Sequence, residues 1–216
     1  MAGWKRWRDD LEIFLLQHRG PVVLLAAVFL VGVVFGALAV RSLDSGDKLE
    51  LVTALTSAVQ GLREAPPGMG WLLLKRSLLG KLKLLALLWV LGLSVVGAAG
   101  VLVVALVRGL ISGFVVGFLT AEMGGAGLVL ALLAHLPQSL LEVPALLVGG
   151  TASIVFSLQV IRSWRRGRRL SHFYSALSAF TGTLGLMGLV MLAAGLLESY
   201  LSPALVRLVL PWIPGF

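Results

Sequence analysis

Residues 84–148 decide the fold of this chain: LLALLWVLGLSVVGAAGVLVVALVRGLISGFVVGFLTAEMGGAGLVLALLAHLPQSLLEVPALLV. Within this stretch the only side chains that could carry a charge are Arg108, Glu122, His135 and Glu142. A helix needs roughly 20 apolar residues to cross the hydrocarbon of a bilayer, which is about 30 Å thick. The stretch is therefore far too apolar for a segment in water, and it predicts several membrane-spanning helices.

The composition places the whole chain among polytopic membrane proteins. Its 216 residues are 58% hydrophobic and 13% charged, and the mean hydropathy is +0.99, whereas a soluble domain has about 25% charged residues. The net charge of +8 would favour nucleic-acid binding in a soluble protein. Here the basic residues mostly flank apolar runs, so they indicate headgroup contacts and orientation signals. We predict a single all-α integral membrane domain, 1–216, that contacts membrane lipid and binds no nucleic acid.

The apolar runs predict about five transmembrane helices, with amphipathic interfacial helices beside them. The first interfacial helix is predicted at 1–20. A turn is predicted at Arg108, and Pro137 and Pro144 predict a broken polar segment at membrane depth. A re-entrant half-helix at 128–144 would raise the apparent count to six. The predicted spans are 21–40, 84–107, 109–134, 138–161 and 176–197.

A polar insertion at 41–83 separates the first two predicted spans. Its residues 47–64 predict an amphipathic helix that is stopped by Pro66-Pro67-Gly68. The apolar face must cover the membrane surface, the rest of the protein or a partner, so it is a candidate docking surface. The residues of this face are Leu51, Val52, Leu55, Val59 and Leu62. The second half of the insertion is predicted to be a helix at the interface with snorkelling cations, namely Lys75, Arg76, Lys81 and Lys83.

Glycines at helical spacing predict close contacts between helix backbones. Gly32 and Gly36 are one pair, and Gly109, Gly113 and Gly117 form a longer stripe. Small residues at every fourth position let two helices approach closely in lipid. Such stripes serve contacts within one chain and between copies equally well, so a homo-oligomer is possible on this pattern.

Three polar side chains stand out inside the apolar region, namely His135, Gln138 and Glu142. Ionisable groups in a membrane are costly and tend to be functional. His135 and Glu142 could share a proton or bind water within a translocation path. Alternatively, they satisfy carbonyls freed by Pro137 and Pro144, or lie near the outer interface.

The residues give little support to catalysis. His135 and Ser139 share a helical face only if the helix is unbroken, and no third group orients the histidine. A metal site needs three or more suitable ligands, and His135 with Glu142 supplies two. The chain contains no cysteine, which excludes disulfides and thiolate chemistry. We predict that the protein is not an enzyme and that it binds no cofactor and no metal.

The basic residues favour one orientation in the membrane by a small margin. An arginine-rich segment between the last two predicted spans indicates the cytoplasmic side. With five spans, the N-terminus is then cytoplasmic, the insertion 41–83 is outside, and the C-terminus is extracytoplasmic. The segment contains Arg162, Arg165, Arg166, Arg168 and Arg169.

Four phrases, in this order, resemble those of the stage II sporulation protein M family. They are VGVVFG at 31–36, WVLGLSVVG at 89–97, RGLISGFVVGF at 108–118 and LPQSL at 136–140. The five-span layout and the intervening lengths are also similar, so the resemblance covers nearly the whole chain.

The resemblance implies a role in engulfment, when the mother-cell membrane at the sporulation septum migrates around the forespore. It implies a non-enzymatic scaffold that recruits two partners, stage II sporulation proteins P and D. These partners degrade peptidoglycan as an amidase and a lytic transglycosylase. On this basis the helix at 47–64 and residues 71–83 are the candidate docking region. A transport-type permease subunit with a separate ATPase is the alternative.

Overall fold

The computed structural model describes residues 16–63, 69–166, 170–201 and 204. Every secondary-structure element in these ranges is helical, as predicted. A 3-10 turn, Val40–Ser42, follows the first helix, and a π-helical turn, Leu197–Leu201, follows the last. The helices are α1 (Arg19–Ala39), α2 (Ser45–Arg63), α3 (Met69–Leu93), α4 (Gly97–Arg166) and α5 (Leu170–Leu196).

Helix α4 is a hairpin of two antiparallel arms. A straight helix of 70 residues would be about 105 Å long, yet Arg108 hydrogen bonds to Glu142 at 2.9 Å. The chain reverses at Gly124, whose φ of 60° and ψ of −135° are non-helical. We call residues 97–123 the first arm and residues 125–166 the second arm.

The reversal depends on the backbone freedom of glycine, which leads to a first prediction. Because a Cβ disfavours this φ and ψ, we expect Gly124→Ala to lower the free energy of unfolding by about 1–3 kcal/mol. Gly125→Ala is the matched control. No atom lies near a Cβ built at either position, and only Gly124 has positive φ. Unfolding of both variants in detergent micelles measures the difference, and equal stability would contradict a turn at Gly124.

The predicted span 84–107 is wrong as a single helix. Helix α3 ends at Leu93 and α4 begins at Gly97. The turn between them is tolerated among apolar helices because its backbone carbonyl oxygen accepts hydrogen bonds. Ser94 O accepts hydrogen bonds from Gly97 N at 3.1 Å and from Ser157 Oγ at 2.8 Å. A turn satisfied in this way needs no charged residue to mark it.

The predicted turn at Arg108 is also wrong, because Arg108 lies within the first arm. The predicted helix 109–134 instead runs through the reversal at Gly124. Pro137 and Pro144 do not break the second arm, since Gly124 is the single non-helical position within α4. An Arg in an apolar run indicates a helix end only where its guanidinium has to be hydrated. Arg108 has a carboxylate instead.

Three helical stretches of the described ranges have the length and the apolar composition to cross a membrane. They are Arg19–Ser42, Gly97–Arg162 and Phe173–Leu201, and the second contains both arms of the hairpin. Helix α3 is not among them; it contains four cations. Large apolar side chains such as Phe35 and Val103 are more than half exposed on the outer surface, as expected for side chains in contact with lipid. The five crossings stay a prediction.

The apolar core lies between the hairpin, α3 and α5. Its aromatic centre is Phe156, which stacks on Phe180 with ring centroids 4.6 Å apart. Leu25 of α1 and Leu88 of α3 are fully buried against the same cluster. This core holds the second arm and α3 side by side, and so fixes the polar residues that both present.

Parts of two predicted segments lie outside the described residues. The interfacial helix 1–20 is described only from residue 16 onward, and the arginine-rich segment only up to residue 166. The predicted insertion helix 47–64 is present as α2, Ser45–Arg63.

Candidate functional site

Helix α1 and the first arm pack through the five glycines that the sequence singled out. A Cβ at Gly32 would meet Leu106 O, and one at Gly36 would meet Leu110 O. From the other side, a Cβ at Gly109, Gly113 or Gly117 would meet the backbone of Phe29, Val33 or Ala37. The structure therefore places both glycine groups in one interface within the chain, where each backbone fits against the other.

This interface sets the depth of Arg108 in the membrane. The contacts of Gly109 with Phe29 and of Gly113 with Val33 show that α1 and the first arm run parallel. Phe29 is near the middle of α1, which is long and apolar enough to cross the hydrocarbon. Arg108 adjoins Gly109, so its backbone lies level with the middle of α1. A charge at this depth has to be paired.

The partner of Arg108 is Glu142, and a lysine shares it. Arg108 Nη1 donates to Glu142 Oε1 at 2.9 Å, and Lys81 Nζ donates to Glu142 Oε2 at 2.7 Å. Lys81 Nζ also lies 3.1 Å from Glu198 Oε2. Lys81 is only 5% exposed, and the Glu142 side chain 14%. Four charges from α3, both arms of α4 and the turn after α5 thus form one neutral network.

A chain of neutral hydrogen bonds extends this network. Ser77 Oγ donates to Glu198 Oε2 at 2.6 Å. The Gln138 amide nitrogen donates to the same oxygen at 2.8 Å, and its oxygen accepts from His135 Nδ1 at 3.1 Å. This amide orientation gives both neighbours a complementary partner, whereas the opposite one does not. His135 Nε2 then accepts from Ser112 Oγ at 3.1 Å.

A cavity of about 630 Å³ opens beside the network, and its wall combines charged and polar side chains with apolar ones. Its wall includes Arg76 and Gly80 of α3, Ile111 of the first arm, Ser139 of the second arm and Ser199 after α5. Arg76 and Ile111 are exposed, so the cavity reaches the surface of the bundle. Arg76 precedes Lys81 by five residues, or about 7.5 Å along the helix.

The sequence pattern singles out three side chains of this network and assigns no place in it to the others. His135, Gln138 and Glu142 are all in the network. Lys81 was predicted to snorkel at the interface, which is wrong because it is buried against Glu142. Glu198 lies just beyond the predicted span 176–197, and Arg108 is predicted at a turn. The available signal was an excess of apolar neighbours around each charge, which requires a partner from another helix.

The candidate docking surface lies elsewhere. Leu51 and Val52 of α2 are partly buried, whereas Leu49 is 69% exposed. The side chains of Leu55, Val59 and Leu62 lie outside those that the structure describes. Within the described ranges, α2 makes no extensive contact with α1, α3, α4 or α5. None of the residues of this surface belongs to the ion network.

The arrangement binds charges to one another, and His135 does not pair with Ser139. Ser139 Oγ donates to Leu136 O at 3.1 Å, whereas His135 contacts Ser112 and Gln138. The i, i+4 pair of His135 and Ser139 considered from the sequence is therefore not formed.

A model of one protein family matches most of the chain. The family is described as stage II sporulation protein M, and the match covers residues 25–203. It includes the glycine interface, the ion network and α2. No curated protein and no solved structure matches the chain.

Proposed function

The chain belongs to the stage II sporulation protein M family, and from this premise we propose that it is a non-enzymatic membrane scaffold. It anchors and localises peptidoglycan hydrolases at the membrane that engulfs the forespore. Its partners are an amidase and a lytic transglycosylase of the kind of stage II sporulation proteins P and D.

One observation carries the proposal, namely the position of α2. This helix lies between α1 and α3 in the chain and makes no extensive contact with any other described helix. An amphipathic helix without extensive contacts to the other helices of its fold is free to place its apolar face on lipid or on a partner. Enzymes that cut the cell wall act outside the membrane, which is the side that the charge pattern predicts for α2.

The buried charges fit a scaffold as well. Lys81, Arg108, Glu142 and Glu198 neutralise one another across the bundle. They link α3, both arms of α4 and the turn after α5, so they hold the helices in one arrangement. A bundle fixed in this way is a rigid base for a presented helix.

Replacing three apolar residues of α2 tests the docking surface. We expect Leu51→Asp, Leu55→Asp and Val59→Asp together to reduce co-purification of the amidase and the transglycosylase at least tenfold, because charges cannot enter an apolar contact. Membrane levels of the protein should be unchanged, because α2 makes no extensive contact with the other described helices. Quantitative pull-down from sporulating cells measures the effect.

The control carries the same charge on the other side of the helix. Thr53→Asp, Ser57→Asp and Gln60→Asp together should leave recruitment unchanged, since Thr53 and Ser57 are exposed side chains off the apolar face. Full recruitment by the first triple variant would contradict docking through α2, and equal loss in both would show an effect of charge alone.

The cavity of about 630 Å³ favours a second candidate, a permease subunit that works with a separate ATPase. A coupling ATPase docks on cytoplasmic elements, so it would tolerate the α2 substitutions. The permease is supported if Lys81→Met abolishes solute flux and neither the wild type nor any variant recruits the hydrolases. Recruitment that depends on α2 supports the scaffold.

A further inference from the structure

We propose that the cavity beside the ion network binds a phosphate group, with Arg76 and Arg108 of its wall supplying the positive charge. This site is separate from the docking surface on α2, and neither proposal depends on the other. Either an anionic lipid headgroup or a free phosphate could supply the group.

The charges around the cavity do not balance. Its wall contains three cations, Arg76, Lys81 and Arg108, and two carboxylates, Glu142 and Glu198. Lys81 and Arg108 are matched by the two carboxylates. Arg76 has no carboxylate partner among the described residues. A surplus positive charge beside a bundle of apolar helices favours an anion in the cavity.

Arg108 adds unused hydrogen-bond donors. Its guanidinium has five N–H groups, and within the described part of the chain Nη1 alone has a protein acceptor, Glu142. The side chain is 33% exposed and faces the cavity. A guanidinium near the middle of a membrane requires acceptors for its remaining N–H groups.

Phosphate is the anion that fits these donors and this place. Guanidinium groups bind phosphate oxygens through paired, charge-assisted hydrogen bonds. Phosphates are also the anionic groups of the surrounding lipid. Ser112, Ser139 and Ser199 add hydroxyl groups to the wall, and Arg76 is exposed where the group would enter.

Binding of radiolabelled inorganic phosphate to the full chain in phosphatidylcholine nanodiscs tests the proposal. We expect saturable binding to the wild type and binding about tenfold weaker to Arg76→Gln, the loss of one charge-assisted contact. Arg76 has no carboxylate partner to lose within the described ranges, so this variant should keep its unfolding temperature without ligand. Lys83→Gln is the matched control, an exposed cation of α3 outside the cavity wall, and it should bind as the wild type does.

A second experiment replaces part of the phosphatidylcholine in the nanodiscs with phosphatidylglycerol. If the headgroup is the ligand, this lipid raises the unfolding temperature of the wild type but not of Arg76→Gln, and it displaces the radiolabel. If free phosphate is the ligand, the radiolabel binds equally in both discs. Absence of saturable phosphate binding together with no effect of phosphatidylglycerol overturns the proposal and leaves a cavity of water. Equal binding to Arg76→Gln and the wild type overturns it too.

Discussion

Glu142→Gln is expected to lower the free energy of unfolding by about 3–5 kcal/mol, the cost of breaking a buried ion pair from one side. The carboxylate of Glu142 accepts from both Lys81 and Arg108. Without it, Lys81 keeps Glu198, but Arg108 has no carboxylate within the described part of the chain. The unpaired guanidinium of Arg108 then lies in the first arm, beside the middle of α1. Reversible unfolding in mixed micelles measures the change.

The other glutamate in the apolar region is the control. Glu122 is exposed and precedes the reversal at Gly124 by two residues. Glu122→Gln should therefore change the free energy by less than about 0.5 kcal/mol, as surface substitutions usually do.

A double variant separates the ion pair from the shape of Glu142. The double variant Glu142→Gln with Arg108→Gln should lose less unfolding free energy than the two single variants lose together, because it leaves no guanidinium unpaired. Simple additivity of the two losses, or a negligible effect of Glu142→Gln alone, would contradict a network that holds the bundle.

Gly113→Ala is expected to destabilise the protein by about 1–3 kcal/mol, as overpacking does in closely packed interiors. An added Cβ would collide with Val33 O and lie 2.7 Å from the Val33 Cα. Backbone atoms cannot rotate away as a side chain does, so α1 and the first arm would have to separate. Among the separate helices that the structure describes, α1 and α4 make the most extensive contact, and packing energy falls with distance.

Gly182→Ala tests the same change where there is room. No atom lies within 4 Å of a Cβ at Gly182 of α5. Alanine also has the higher helix propensity, by about 1 kcal/mol. We therefore expect Gly182→Ala to be neutral or stabilising in the same unfolding assay. Equal losses for Gly113→Ala and Gly182→Ala would mean that the glycine interface does not require close contact.

The sequence was informative where one local pattern decides the structure. Regular spacing picked out Gly109, Gly113 and Gly117, and backbone contact needs small residues at such positions. The amphipathic pattern of 47–64 likewise identified α2, since periodicity and the proline stop both act within a few residues.

The sequence was misleading where a distant partner decides. Arg108 looked like a helix end because a charge in an apolar run normally marks water, yet Glu142, 34 residues later, neutralises it within the helix. Lys81 was assigned to the interface for the same reason. The turn at Ser94 had no polar or proline signal, because Ser157 from the second arm supplies its donor.

Labelling of single cysteines tests the central claim, that α2 is presented on the outer face of a membrane bundle. The chain has no native cysteine. Thr53 on α2 and Arg162 near the end of the second arm are both exposed. In intact cells, a membrane-impermeant maleimide should label Thr53→Cys, and should label Arg162→Cys only after permeabilisation. Labelling of Arg162→Cys but not of Thr53→Cys in intact cells would place α2 in the cytosol and contradict the account.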